Sequence, residues 1–268
     1  MKNILLLVHE DNGQEARFQA AVDVTRAVGG HLICADVVPF TPVPGDAYGL
    51  ADGGVLLLQA EREIESANRA CLEKRLKIEG LAWDWVELVG NFEAALEDSA
   101  ALADLIVVNR EVPDLQIRDI RRIAEPLVMR SGKPILAAVN EDGFNAAGRA
   151  LIAWDGSDPC AAAVQAAVPL LKLSEAVTIL ELDDETVDNP AEAAAAYLSR
   201  HGIHAEIVRL DVPTSDFVEP VLLSKLEGGR YDWLVMGAFS KSRVREAFFG
   251  GVTKRLLKES PIPLFIAH

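Results

Sequence analysis

The feature that most constrains this chain is an internal repeat. Phe18–Val22 recurs 146 residues later as Val164–Val168, with the letters QAAV unchanged, and each copy follows a short apolar segment. Near the other end of each half, Asp104–Val108 recurs 128 residues later as Asp232–Met236. Two related halves in 268 residues predict two similar domains, each large enough to bury its own core.

The domain boundaries follow from where the two copies end. We place one domain at residues 1–140 and the other at residues 149–268, joined by a linker at Asn140–Gly148. Ser131–Pro134 matches Ser260–Pro263 at an offset of 129, compared with 146 near the start of each copy. The first half therefore carries 17 additional residues in its middle.

The additional residues fit best at Pro39–Gln59, which holds three prolines and four glycines. Glycine and proline at this density are typical of a long loop or lid. The apolar letters Val55–Leu58 are expected to begin a long helix that packs on the sheet. The alternative is a lid that faces a ligand or a membrane.

Apolar runs and helix signals alternate through each half, which predicts a sheet with helical crossovers. The predicted strands lie near residues 2–8, 31–38, 83–89, 104–109, 134–139, 149–154, 177–182, 205–210, 231–237 and 263–267. The predicted helices lie near residues 14–28, 58–79, 93–102, 119–131, 159–171, 190–201, 215–227 and 251–259. Most of the strands lack period-two alternation, as parallel strands covered on both faces do. The predicted fold class is α/β, with two tandem doubly wound, Rossmann-like domains, each containing a five-stranded parallel sheet.

Charge and cysteine content exclude several classes of function. A net charge of −15 repels nucleic-acid phosphates and anionic membranes, and no apolar run is long enough to span a membrane. Three cysteines without a CxxC pair argue against a disulfide framework or a zinc site and favour the cytoplasm. Residues 241–258 nevertheless carry a local charge of +5, which is either a solvated face or an anion-binding patch.

This basic segment surrounds a glycine pair that opens the last helix of the second half. The fourth strand of that half ends at Met236–Gly237, and the helix begins with Gly250–Thr253. Backbone N–H groups that glycine leaves bare at a helix N-terminus favour a bound phosphate. The intervening loop adds polar and basic side chains, namely Ser240, Lys241, Ser242, Arg243 and Arg245.

These residues resemble a known family. The segment MGAFSKSRVREAFFGGVTKRLLKESPIPLFI, residues 236–266, is similar to the C-terminal signature of the universal stress proteins. That signature has glycine, two residues, glycine, nine residues, then glycine followed by serine or threonine. The resemblance covers the whole chain as two copies, clear in the second and diverged in the first. It implies an adenine nucleotide alpha hydrolase-like fold in which the loop holds ATP or AMP, with Mg as its counterion.

The resemblance assigns roles to individual residues. Gly237 and Gly250 match the first and third glycines, and Asp155 matches an aspartate that meets the adenosine part. The sequence departs from the signature because Ser240 stands at the second glycine and Gly251 replaces the hydroxyl residue. The nucleotide-binding set implied in this way is Asp155, Gly237, Ser240, Gly250, Gly251, Val252 and Thr253.

The first copy lacks these side chains, so we expect it to be a structural partner without a nucleotide site. The matching positions hold other residues, which are His9, Asn109, Arg121 and Arg122. A lone histidine at a strand end is an ordinary surface residue more often than a catalytic one. The resemblance also implies that the two copies pair about a pseudo-twofold axis through residues 135–139 and 264–268.

Two other candidates have simpler explanations. Cys160 follows the start of a predicted helix, where a thiol pKa falls, but no histidine or second cysteine is near it in sequence. We expect a buried, inert thiol. An acidic cluster has the oxygens that bind a hard cation, although a solvated loop is the expected role of its residues, Asp183, Asp184, Glu185 and Asp188.

Three functions stay open on the sequence alone. The first is a cytoplasmic stress-response protein that binds an adenine nucleotide in its C-terminal domain and acts by regulation, with weak ATP hydrolysis at most. Its partner would be another protein or a second copy. The second is a nucleotide-free scaffold with a decayed phosphate loop, which Ser240 and Gly251 favour. The third is an ATP-consuming enzyme, although Trp154–Asp158 only partly matches the first-strand loop SGGxDS that such an enzyme needs.

Overall fold

A computed structural model of the chain describes residues 1–39, 51–90, 99–109, 124–139, 143–183, 189–211, 218–238 and 249–268. Its strands are β1 Asn3–Val8, β2 His31–Pro39, β3 Ala82–Gly90, β4 Leu105–Asn109, β5 Ile135–Ala138, β6 Arg149–Trp154, β7 Ala176–Asp183, β8 Ala205–Asp211, β9 Trp233–Gly237 and β10 Leu264–Ala267. Its helices are α1 Gln14–Val28, α2 Ala51–Glu79, α3 Ala124–Ser131, α4 Asp158–Leu171, α5 Ala191–Arg200, α6 Val218–Glu227 and α7 Phe249–Glu259. The strand positions agree with the sequence prediction to within two residues at each end.

All ten strands form one continuous sheet in the order β3-β2-β1-β4-β5-β10-β9-β6-β7-β8. Within each half the five strands are parallel, and the halves meet where β5 pairs antiparallel with β10. Leu136 lies opposite Phe265 at that junction. The predicted contact between the two last strands is therefore confirmed, and it joins the two predicted sheets into one.

The internal repeat is visible in the register of the central strands. Leu6 of β1 lies beside Val107 of β4, and Ile152 of β6 lies beside Val235 of β9. These pairs are related by the sequence offsets of 146 and 128. The strand order 3-2-1-4-5 is likewise the same in both halves. The predicted α/β, doubly wound fold class is confirmed.

The central strands are apolar because both faces of the sheet are covered. Along β1, every residue from Ile4 to Val8 is buried. Leu6 belongs to the core on one face, whereas Leu5 and Leu7 belong to the core on the other. Because successive side chains of a strand point to opposite faces, a run without alternation marks a strand buried on both sides.

The start of α2 corrects one prediction. Pro39–Gln59 was expected to be a loop or lid, but α2 begins at Ala51, so residues 51–59 are helical. Each helical glycine costs roughly 1 kcal/mol relative to alanine, and Gly53 and Gly54 did not outweigh the helix-forming residues that follow. Residues 40–50 lie outside the described ranges, as does most of the predicted helix near 93–102. No helix in the described part of the chain is long and apolar enough to cross a membrane.

Candidate functional site

Each half has one topological switch point, the place where the strand order reverses direction. These points lie between β1 and β4 and between β6 and β9. Ligands of doubly wound sheets bind at such points, beyond the carboxyl ends of the strands. In the second half, Trp154 ends β6 and Gly237 ends β9. Ala153 pairs with Met236 in the preceding register position, so Asp155 and Gly237 emerge from neighbouring strands at the same edge.

Asp155 is held in a turn that starts α4. Its Oδ1 accepts hydrogen bonds from the Ser157 backbone N–H at 3.0 Å and from Ser157 Oγ at 2.6 Å. Ser157 in turn caps α4, because its Oγ accepts from the Cys160 backbone N–H at 3.3 Å. Both described bonds to Asp155 fall on one oxygen. The other oxygen, Oδ2, has no donor within the described ranges.

Gly237 is a glycine because the chain passes very close to α4 there. A β-carbon at this position would stand 2.5 Å from the Cys160 backbone nitrogen and 2.7 Å from the Pro159 carbonyl carbon. Both neighbours are backbone atoms of the first turn of α4, so neither can rotate away. The glycine is thus required by packing, whatever role it has toward a phosphate.

The first turn of α7 contains the other predicted residues. The helix begins at Phe249, so Gly250 and Gly251 lie in its first turn and just before Val252 and Thr253. Val252 belongs to the core cluster beneath the helix. Thr253 is 1% exposed, and its Oγ1 has no hydrogen-bond partner among the described residues. A buried hydroxyl without a partner is costly, which makes Thr253 a candidate for a ligand contact.

A carboxylate already lies next to this helix N-terminus. A β-carbon on Gly251 would stand 2.9 Å from Oε1 of Glu219, a residue of α6. Glu219 Oε2 accepts a hydrogen bond from Arg255 at 3.3 Å, and Arg255 also donates to Glu259 at 3.1 Å. The N-terminal end of α7 therefore has an anion beside it before any phosphate binds.

Several predicted residues lie outside the described ranges. They are Ser240, Lys241, Ser242, Arg243, Arg245, Arg121 and Arg122, together with most of the acidic cluster, Asp184, Glu185 and Asp188. In the described part of the chain, no group of three or more His, Cys, Asp or Glu side chains is arranged to hold a metal ion.

The first switch point is filled by a buried arginine. Arg17 of α1 is fully buried, and its guanidinium hydrogen-bonds to the Leu7 carbonyl at 3.1 Å and the His9 carbonyl at 2.9 Å. It also makes two bonds to the carboxylate of Asp11, each 3.0 Å, and one to Oδ1 of Asn109. The guanidinium thus joins the carboxyl ends of β1 and β4, where a ligand of this half would bind.

In each half a glycine lets a strand end and a helix start approach closely, but the glycine lies on opposite sides of that contact in the two halves. In the second half Gly237 at the strand end makes room for the backbone of Pro159 at the helix start. In the first half the residues that match these by the offsets are Asn109 and Gly13. Here the glycine is on the helix side, and a β-carbon on Gly13 would collide with the Asn109 side chain, 2.7 Å away. Asn109 Nδ2 donates to the Gly13 carbonyl at 2.8 Å. Both halves therefore keep the contact, with the larger residue on the helix in the second half and on the strand in the first.

The end of β1 carries a polar cluster that the sequence did not predict. His9 Nδ1 lies 2.7 Å from Oε1 of Glu65, a buried residue of α2. Asn68, one turn along α2, exchanges two hydrogen bonds of 2.7 Å with Gln14. These contacts fasten α2 to β1 and α1. Glu65 and Asn68 lie on the same side of α2 as the buried Leu72 and Leu76. Polar residues in that helical spacing are the sequence signal that could have predicted these contacts.

The charged groups in this cluster change one another's pKa values. Burial lowers the pKa of His9, but hydrogen bonding and charge from Glu65, with the charge of Asp11, outweigh burial and raise it above the ordinary value. Burial raises the pKa of Glu65, but contacts with His9, Asn68 and the Glu10 N–H lower it overall. Burial, and then the charge of Glu65, raise the pKa of Asp36 at the end of β2 to about 6.

The sequence predicts that Cys160 is a buried, inert thiol. Cys160 is buried, and its Sγ donates to the Ala153 carbonyl at 3.1 Å. Burial raises the pKa of the Cys160 thiol far above its ordinary value, with the charge of Asp155 adding to the shift. The predicted burial of Cys160 is confirmed, and its inert role stays a prediction, which the raised pKa favours because a thiol without its thiolate is a poor nucleophile.

Solved structures of other proteins share this architecture. A universal stress protein from Archaeoglobus fulgidus is similar over 99% of this chain and 97% of its own, with a TM-score of 0.73 and 15% sequence identity. A functionally unknown protein from Pseudomonas aeruginosa is similar over 99% of this chain and 92% of its own, with a TM-score of 0.57 and 15% identity. No protein-family model and no curated protein matches the sequence. Over its whole length, the chain has the α/β fold of a universal stress protein.

Proposed function

We propose that this protein is a universal stress protein that binds an adenine nucleotide, ATP or AMP, between the carboxyl ends of β6 and β9. The observation that carries the proposal is the difference between the two switch points. Arg17 fills the first with a buried guanidinium, whereas the matching residue of the second is Ala163. In this proposal the domain at residues 1–140 has a structural role, and the domain at residues 149–268 binds the nucleotide.

The residues of the second switch point fit a nucleotide. Oδ2 of Asp155 is available to an adenosine group, and the first-turn amides of α7 at Gly250 and Gly251 are donors suited to phosphate. The Oγ1 of Thr253, which has no partner among the described residues, supplies a further donor in the same turn of α7. Magnesium would arrive with ATP and neutralise its phosphates. Val252 contributes packing beneath the helix, because its side chain lies in the core.

The same residues favour regulation over catalysis. The cysteine at this site, Cys160, is buried and held as a thiol. One carboxylate oxygen of Asp155 is held by Ser157, which fixes the side chain in an orientation suited to recognising a group of the nucleotide. Bound nucleotide would therefore stabilise one state of the protein and change what the surface around α7 presents to a partner.

Thermal unfolding with and without ATP and magnesium tests the proposal. A ligand present at a hundred times its Kd stabilises the folded state by about 2.7 kcal/mol, so the midpoint should rise clearly. Gly250→Asp places a carboxylate among the phosphate-binding amides and should abolish the rise. Gly228→Asp, the same substitution in the exposed segment after α6, is the matched control and should keep it. No rise in the unsubstituted protein at millimolar ATP would overturn the proposal.

A specific observation favours a second candidate, a nucleotide-free interaction protein. The carboxylate of Glu219 lies beside Gly251 and meets the helix dipole of α7 in the way a bound anion would. If that carboxylate replaces the ligand permanently, ATP should leave the unfolding midpoint unchanged both in the unsubstituted protein and in Gly250→Asp. The two candidates therefore give opposite results in the same experiment.

A further inference from the structure

The exposed side of α2 carries an apolar seam that the described residues leave uncovered. Glu65, Asn68, Leu72 and Leu76 form the buried side of this helix. Ile64 is 51% exposed and Ile78 is 83% exposed, and Ala67 and Cys71 are exposed between them. We call these four residues, Ile64, Ala67, Cys71 and Ile78, the α2 seam.

The spacing of the seam is the spacing of a helix-pairing surface. Ile64, Cys71 and Ile78 are seven residues apart, and Ala67 lies three residues after Ile64. Packed helices share a repeat of seven with apolar residues at the first and fourth positions. Here all three first positions are apolar, whereas the fourth position is apolar at Ala67 and charged at Lys74. From Ile64 to Ile78 the seam is about 21 Å long, or four turns. The small side chains of Ala67 and Cys71 allow close approach at its centre.

Three of the seam residues, Ile64, Cys71 and Ile78, are spaced symmetrically about Cys71. A twofold axis through Cys71 would place Ile64 of one copy against Ile78 of the other, and Cys71 against its own equivalent. A heptad surface can pair with its own copy in either orientation, and the charges beside it decide between the two. The occupant that fits it without any change is therefore a second copy of the chain.

Charges flanking the seam favour the same arrangement. Glu63 lies beside Ile64 at one end, and Lys74 and Lys77 lie beside Ile78 at the other, all of them exposed. Antiparallel pairing brings Glu63 of each copy toward Lys77 of the other. Parallel pairing would bring like charges together, which is unfavourable.

The strand edge at which the two halves meet is already paired within the chain, and the outer strands of the sheet are β3 and β8. The edge of β5 pairs with β10 inside the chain, so that strand is not available to a second molecule. We propose that two copies of this protein associate through antiparallel packing of the α2 seam, with Cys71 of each copy next to the twofold axis.

Molar mass as a function of concentration gives the first test. The full chain of 29.0 kDa should approach twice that mass at high concentration. Physiological salt should be used, because the ~8 Å Debye length there screens the repulsion between two acidic molecules. Ile78→Glu should raise the dissociation constant at least about tenfold. Leu102→Glu is the matched control, because Leu102 is 81% exposed and lies outside α2, and it should leave the constant unchanged.

Cross-linking with a short bismaleimide tests the geometry. The unsubstituted protein should cross-link through Cys71, since Cys34 and Cys160 are buried, and Cys71→Ser should prevent it. In the Cys71→Ser background, a mixture of the Ile64→Cys and Ile78→Cys proteins should give cross-linked dimers, whereas each variant alone should not. Monomeric protein at all concentrations, a dimer insensitive to Ile78→Glu, or cross-links in the single variants alone would each overturn the proposal.

Discussion

The carboxylate of Glu219 lies against Gly251, at the end of α7 where a phosphate is expected to bind. A β-carbon on Gly251 would stand 2.9 Å from Glu219 Oε1, and the same carboxylate holds Arg255. A helix N-terminus attracts one anion strongly, but two anions at the same place repel each other. Glu219 therefore either gives way to a ligand or takes its place.

Glu219→Gln should increase the affinity for ATP with magnesium about fivefold. A unit charge about 4 Å away is worth roughly 1 kcal/mol in water, and the side chain of Glu219 is partly exposed, so the smaller aqueous value applies. Isothermal titration calorimetry measures the change directly. Glu227→Gln, which removes a charge from the exposed end of the same helix, should leave the affinity unchanged. Equal affinities for unsubstituted and Glu219→Gln protein would separate Glu219 from the binding site.

The fold was predictable from sequence because its signals are local or repeated. Apolar runs such as Ile4–Val8 mark strands buried on both faces, and the repeat relates Leu6 and Val107 to Ile152 and Val235. The start of α2 was not predictable in this way. Gly53 and Gly54 favour a loop, so the predicted start of the helix lies at Val55–Leu58, whereas the helix begins at Ala51.

The site was less predictable because its contacts join residues far apart in sequence. Arg17 bonds to Asn109, 92 residues away, and Glu65 lies beside His9, 56 residues away. Helix and strand periodicity relate residues only a few positions apart, so neither contact could be predicted from it. Comparison of the two copies would have drawn attention to Arg17, because the matching residue in an otherwise similar helix is Ala163.

Arg17→Met should destabilise the protein by about 3 kcal/mol or more. Removing one member of a buried, hydrogen-bonded ion pair leaves its partner uncompensated, and here the Leu7 and His9 carbonyls also lose their donors. Urea unfolding gives the free energy. The control is Arg26→Met, because Arg26 is half exposed and pairs with Glu79 at the surface, where a loss below about 1 kcal/mol is expected. Similar losses for the two variants would contradict a filled, rigid first switch point.

Gly237→Ala should destabilise the protein by about 1–3 kcal/mol, the usual range for forcing extra atoms into a packed site. The new methyl would meet backbone atoms of Pro159 and Cys160 at 2.5–2.8 Å. Unfolding without any nucleotide measures this cost separately from ligand binding. Gly228→Ala has its nearest neighbour at 3.6 Å and should change stability by less than about 0.5 kcal/mol. If Gly237→Ala unfolds like the unsubstituted protein, the close approach to α4 is not a constraint, and the glycine is retained for its ligand.

Asp36→Asn should stabilise the protein at neutral and alkaline pH. Asp36 is 4% exposed and its Oδ2 accepts from Trp85 Nε1 at 3.2 Å, a bond that the amide oxygen of asparagine can keep. Because burial and Glu65 raise its pKa from 3.8 to about 6 in the folded state, the unfolded chain loses this proton more readily. Ionised Asp36 therefore costs up to about 3 kcal/mol of folding free energy above pH 6.

The pH dependence gives this last prediction its sign. As the pH falls through 6, folded unsubstituted protein takes up the proton and recovers stability, so the advantage of Asp36→Asn should shrink by about 1 kcal/mol between pH 8 and pH 5.2. Urea unfolding across that interval stays above the isoelectric point near 4.8. Asp84→Asn, on the exposed strand β3, removes the charge from the contact with His31 and should be neutral or slightly destabilising. An Asp36→Asn protein that is less stable than the unsubstituted protein at pH 8 would show that Asp36 is stabilised as a carboxylate by a partner beyond Trp85.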